Sequence, residues 1–125
     1  MMVSIEVSVG ELFDKITILK IKQEKLTDEK QLINVSKELS LLESKAFTDD
    51  AEVNHLVHEL YEINLALWNI ENDKRKCEIT KDFGPKFVEL ARQVYIKNDN
   101  RAEIKKMINT ITNSSIIEEK NYTKY

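Results

Sequence analysis

Two glycines and one proline are the only strong backbone breakers in 125 residues. A chain so poor in them can stop and turn hard at very few places. One glycine stands directly before the proline, in Asp82-Phe83-Gly84-Pro85, so this break divides a sequence that reads as helix on both sides. There is one cysteine, Cys77, which rules out an internal disulfide and fits a reducing cytoplasm. No apolar run approaches the roughly 18 residues of a membrane helix. Met1 to Gly10 lacks the basic patch and apolar stretch of a signal peptide. Positive charge is not in excess either: the net charge is −3 and the pI is about 5.5, which argues against a general nucleic-acid binder. Arginine is scarce, with only Arg75, Arg92 and Arg101. Lysine, isoleucine and asparagine are plentiful and share A/T-rich codons, so nucleotide bias explains the lysines. The arginines therefore carry more information, because a guanidinium offers bidentate geometry that lysine cannot copy.

With 42% hydrophobic and 33% charged residues, the chain reads as one soluble, helix-rich domain over residues 1–125. Val3 to Val9 alternates apolar and polar with period two, an extended arm or short strand that must pair with another segment or lie across the helices. Ser8 and Glu11 have capping-box spacing and open a first helix to about Leu26, with Leu12, Phe13, Ile16 and Leu19 inward and Asp14, Lys15, Lys22 and Lys25 on the other face. Thr27-Asp28 caps a second helix to about Lys45, completing a hairpin. Asp49 and Glu52 again show capping-box spacing and open the longest element, about Asp50 to Thr80. Val53, Leu56, Leu60, Ile63, Leu67, Ile70 and Cys77 form its heptad seam, interrupted at Lys74. At about 1.5 Å per residue it spans roughly 45 Å, so part of it must meet the C-terminal helices or another subunit. Pro85 starts a fourth helix with Gly84 supplying an unusual backbone angle. Asn98-Asp99-Asn100 interrupts that helix, and Asn100 with Glu103 opens a fifth. In the tail, from Ser114 to Tyr125, Ile116-Ile117 are expected near the N-terminal arm while the last residues fray.

Several motifs dissolve on inspection. Asp82-Phe83-Gly84 spells the kinase magnesium motif, but no glycine-rich loop or catalytic-loop sequence accompanies it, and it reads as a helix stop. Glu52-x-x-His55 is half of a di-iron motif without its second helix, and with His58, Glu59 and Glu62 it reads as a solvated face. Glu59, Glu62, Glu71 and Asp73 lie on one helix, whereas pyrophosphohydrolase-type magnesium sites need acids from two. Small helical chorismate mutases need converging cations that the first helix does not supply. Cys77 continues the apolar seam, as a buried structural thiol.

Two clusters survive. Asn64, Trp68, Glu71, Asp73 and Arg75 lie along the late part of the long helix. Arg92, Tyr95, Asn98 and Asp99 share a face after the break, with Arg101 and Lys105 an i,i+4 pair beyond them. These could grip a phosphate, a carboxylate or an acidic peptide. Equally, Arg92 or Arg101 could pair with Glu71, Asp73 or Asp99 and clasp the helix junction.

Glu6 to Lys22, Leu67 to Asp73, Asp82 to Asn109 and Ile117 to Tyr122 together carry a resemblance. Gly10-Glu11-Leu12-x-Asp14-Lys15-Ile16 and Val94-Tyr95-x-x-Asn98-Asp99-x-Arg101 are its most specific parts. The chain resembles a family of small helical proteins of unknown function found in bacteria and marine phages. The resemblance implies no activity, cofactor or catalytic residue.

The expected fold is all-α: a helical hairpin, a long central helix, two shorter C-terminal helices and a short extended N-terminal arm (residues 1–9). The expected function is a non-catalytic oligomeric interaction or adaptor protein in the cytoplasm, a homodimer through the long seam. No metal, cofactor, membrane or nucleic acid is expected. The alternative is a small enzyme or ligand-binding protein for an anionic metabolite such as a sugar phosphate or nucleotide sugar. Its site would comprise Trp68, Glu71, Arg92, Tyr95, Asn98, Asp99, Arg101 and Lys105.

Overall fold

Ser8, Asp28 and Asp50 each turn a side-chain oxygen onto the first turn of a helix, accepting from Glu11 N, Gln31 N, and both Glu52 N and Val53 N. Each satisfies amide donors that a helix start leaves orphaned. The computed structural model describes residues 1–125 and contains four helices: α1 (Val9–Lys25), α2 (Glu29–Glu43), α3 (Ala51–Thr80) and α4 (Pro85–Ile111). It is all-α, with no strand. Asp50, not Asp49, caps α3. No helix is long and apolar enough to cross a membrane.

The break after α3 works differently from expectation. The left-handed residue is Lys81 (φ 57°), whose neighbour Asp82 N donates to Cys77 O at 2.9 Å and closes the helix end. Gly84 has φ −82° and serves as N-cap of α4, its N–H bonded to Asp82 Oδ1 at 3.1 Å, with Pro85 in the first turn. The C-terminal region is one helix, not two. Asn98-Asp99-Asn100 stays helical because two of its three side chains are engaged elsewhere: Asn98 faces Arg101, and Asp99 takes Lys120 and Tyr125. Such side chains break helices by bonding the nearby backbone, and here they have better partners.

Two apolar clusters meet on α1. Phe13 joins Val53, Leu56 and Leu60 of α3 and Ile104 and Ile108 of α4, while Ile16 and Leu19 join Val35 and Leu39 of α2. Each such side chain contributes about 1.5–3 kcal/mol on burial. Helix α2 packs on α1 alone, whereas α1 also crosses α3 and α4. The crossing with α4 is close at Gly10, where an added Cβ would lie 2.6 Å from Lys105 O.

Between Asn64 and Ile104 only Cys77 is buried. The C-terminal half of α3 and the N-terminal half of α4 therefore run beyond the core as a two-helix hairpin, and it is α4 that the long helix meets. The seam residues Leu67 and Ile70 are half-buried there, while Ile63 packs against the core cluster. At the N-terminus, Met1 to Val7 is exposed and makes no backbone hydrogen bond, so the alternating arm pairs with nothing in its own chain. The tail does not fray as expected. Ile116 and Ile117 stay partly exposed, and polar contacts tie the last residues to α4.

Candidate functional site

Glu11 and Asp14 stand one turn apart on α1, and Arg101 and Lys105 one turn apart on α4. Where the helices cross, they pair as two rungs. Lys105 Nζ reaches Glu11 Oε2 at 2.5 Å. Arg101 closes a bidentate fork on Asp14, Nε to Oδ1 at 2.9 Å and Nη2 to Oδ2 at 2.5 Å. Asp14 is buried, and a carboxylate there needs further donors. Asn64 of α3 supplies one, with Nδ2 donating to Asp14 Oδ1 at 2.8 Å and to Thr17 Oγ1 at 2.9 Å. Thr17 in turn donates to Asp14 O at 2.7 Å. Three helices are thus tied at one buried charge.

A second set of polar contacts holds both chain ends. Gly10 N donates to Asn109 Oδ1 at 2.7 Å, and Asn109 Nδ2 donates to Glu118 Oε2 at 3.0 Å. Glu118 also accepts from the Ser8 hydroxyl. Ser8 therefore caps α1 and binds the tail, while Glu11, expected to complete a capping box, goes to Lys105 instead. Further along, Asp99 accepts from Lys120 Nζ at 2.5 Å and from the Tyr125 hydroxyl at 2.6 Å. The Tyr125 ring meets Tyr95 edge-on, 5.2 Å between centroids.

Arg101 separates two clefts. One, of about 420 Å³, lies in the angle between α1 and the protruding hairpin, with Ile18, Ile21, Leu67 and Trp68 as apolar wall and Asn64, Glu71, Asn72, Arg75 and Arg101 as polar lining. The other, of about 770 Å³, runs between α4 and the tail and includes Tyr95, Asn98, Asp99, Arg101 and Lys105. The candidate residues are therefore divided: Trp68 and Glu71 share one cleft, Tyr95, Asn98, Asp99 and Lys105 the other, and Arg101 belongs to both. Arg92 lines neither. It pairs with Glu89 on its own helix at 2.8 Å.

The carboxylates with shifted acidity all move down. Hydrogen bonds from Arg75 and then Lys74 hold Glu71 below the ordinary range. Lys120 and then Tyr125 do the same for Asp99, as Gln93 and then Arg92 do for Glu89. At Glu118 burial pushes upward, but the Ser8 hydroxyl and Lys105 outweigh it. Glu24 raises Tyr61, and Asp99 raises Tyr125 to about 12. Asp14 raises Arg101 further. Each of these groups moves away from neutrality, opposite to what proton transfer at physiological pH requires.

The clasp anticipated around Arg101 exists, but its partner is Asp14 rather than Glu71, Asp73 or Asp99. Glu71 pairs with Lys74 and Arg75, and Asp73 with Lys76. Asp14, which the sequence sets on the outer face of α1, is buried. Its position within Gly10-Glu11-Leu12-x-Asp14-Lys15-Ile16 was the signal for a special role, and the same stretch holds Gly10 and Glu11. Asn109 and Thr17 carried no signal. His55 and His58 lie exposed beside Glu59 and Glu62.

No curated protein and no solved structure matches the chain. A family model covers nearly all of it, residues 2–125, taking in both rungs, both clefts and the tail, and the chain accordingly belongs to the family of unknown function DUF6165.

Proposed function

We propose that this protein is a non-catalytic interaction protein that works as a homodimer, in a reducing compartment such as the cytoplasm. The observation that carries the reading is the hairpin of late α3 and early α4. Two helices alone cannot enclose an apolar face, and this pair leaves Ile79, Phe83 and Val88 more than half exposed at its end. Four-helix packing is the common way to cover such a face.

A second copy suits it by charge. Around that exposed end, Lys76 and Glu78 lie on α3 and Lys86 and Glu89 on α4. Both signs of charge thus flank the apolar end, as a surface that pairs with a copy of itself requires. The non-catalytic part rests on the site itself, where the carboxylates of Asp14 and Glu11 are already taken by Arg101 and Lys105. The buried Cys77 suits a reducing environment.

Sedimentation equilibrium of the full chain tests this. A dimer is expected that dissociates when Ile79→Glu and Val88→Glu are combined, with the helical circular dichroism of the wild type retained. Wild-type protein that stays monomeric at every concentration would overturn the homodimer.

A further inference from the structure

The cleft beside Trp68 has the makings of a binding site, although its best cation is already paired. Arg101 meets Asp14 through Nε and Nη2. Its outer edge makes only one contact, Nη1 to Asn98 Oδ1 at 3.4 Å, which is at the limit for a hydrogen bond. The side chain remains 28% exposed. A guanidinium has five N–H donors, so this one is held rigid from behind while donors remain for a ligand.

Charge on this side of the molecule favours an anion, against the net charge of the chain. Glu71 is shared between Lys74 and Arg75, at 3.1 and 2.8 Å, and Asp14 is buried behind Arg101. Of the charged groups that line the cleft itself, two are cations, Arg75 and Arg101, and one is a carboxylate, Glu71. The opposite wall is apolar: Ile18, Ile21, Leu67 and the half-buried Trp68. A volume of about 420 Å³ falls within the usual range of small-molecule sites and holds one ring with one acidic group.

From this combination we infer that the cleft binds a phosphate monoester carried on a ring, with the ring against Trp68 and the phosphate on Arg101 and Arg75. A phosphate has enough oxygens to take both guanidinium groups at once, whereas a carboxylate is filled by a single fork. The exposed Asn72 amide is free for a ring substituent. Sugar phosphates and nucleoside monophosphates both carry this chemistry. The site is independent of the hairpin face proposed for self-association, so either can fail alone.

Trp68 is the only tryptophan, so its emission reports on the cleft directly. The full chain is titrated with inorganic phosphate, glucose 6-phosphate and adenosine 5′-monophosphate, following Trp68 emission and, in parallel, heat by calorimetry. At least one ring-bearing ester is expected to saturate and to bind roughly tenfold or more tighter than inorganic phosphate; which one does so separates sugar from nucleoside. Arg75→Gln should weaken that ester roughly tenfold, the loss of one charge-assisted hydrogen bond. The melting temperature should not move, because Arg75 is exposed and pairs only within its own helix. Trp68→Leu, read by calorimetry, should remove the advantage of the ester over inorganic phosphate. Saturation by neither ester would overturn the assignment, as would an ester affinity unchanged in Arg75→Gln.

Discussion

At the scale of single residues, the energetics centre on Asp14. It is 1% exposed, and it remains there because Arg101 and Asn64 donate to its oxygens. The two partners of the ion pair are not equivalent. Arg101 is partly open to solvent and can hydrate if its carboxylate disappears, whereas Asp14 cannot. Arg101→Met should therefore cost about 3–5 kcal/mol, the usual penalty for stranding a buried charge. Asp14→Asn keeps an acceptor for Asn64 and should cost less, about 1–3 kcal/mol. Replacing both with apolar side chains, Asp14→Leu with Arg101→Met, should recover much of the larger loss, since buried pairs often exchange for packing at little cost. Urea midpoints of these variants and of Asp14→Leu alone decide the matter. A double variant whose loss equals the sum of the Arg101→Met and Asp14→Leu losses would show that the two side chains act separately.

At the scale of elements, two contacts determine how α1 and the tail sit on α4. Gly10 lets α1 approach until no Cβ fits above Lys105 O. Gly10→Ala should destabilise by about 1–3 kcal/mol through overpacking, well beyond any gain in helix propensity, and a thermal melt shows which term wins. The tail responds to pH at both ends of the scale. Asp99 and Glu118 have folded-state pKa values below their ordinary ones. Their stabilisation is complete above the ordinary carboxylate range, near pH 4, and is lost as pH falls through the lowered values. Tyr125 is the reverse: raised to about 12, its contribution is present below about pH 10 and lost as pH climbs towards that value. Amide signals of residues 115–125 should sharpen towards random-coil positions in acid before the helices melt. A tail that loosens only with global unfolding would contradict this.

At the scale of the whole molecule, protection should be uneven. The amides of α1, of α3 up to Asn64 and of α4 after Ile104 surround the two apolar clusters, while the hairpin beyond them has Cys77 as its only buried side chain. Sub-global opening of a weakly packed unit precedes global unfolding. Hydrogen exchange across residues 65–103 should thus be faster than in the core at low protein concentration, and should slow as concentration rises and a second copy covers the hairpin. Exchange there that ignores concentration would count against self-association, even if the hairpin proved stable.

Much of this architecture was legible in the residues. Four of the helix starts anticipated from capping and proline chemistry are real, and the apolar spacing of three and four correctly marked Phe13, Ile16, Leu19, Val53, Leu56 and Leu60 as inward. These features are local: a cap or a stripe depends on neighbours within a turn or two, so sequence order alone determines it. Charge mislocated Asp14 and composition mislocated a break at Asn98-Asp99-Asn100, because both depend on partners far along the chain. Arg101 lies 87 positions from Asp14, and Lys120 lies 21 from Asp99. The sequence by itself determined an all-helical chain divided at Gly84-Pro85, with candidate groups on both sides of that break. Only the tertiary structure decided which of those groups are consumed and which stay available. Folding brought the carboxylates of α1 onto Arg101 and Lys105, sent Arg92 to Glu89, and left Arg101 lining one cleft together with Trp68. Which charges meet is set by how the helices cross, and the Gly10 crossing that aligns both rungs exists only once α1 lies on α4.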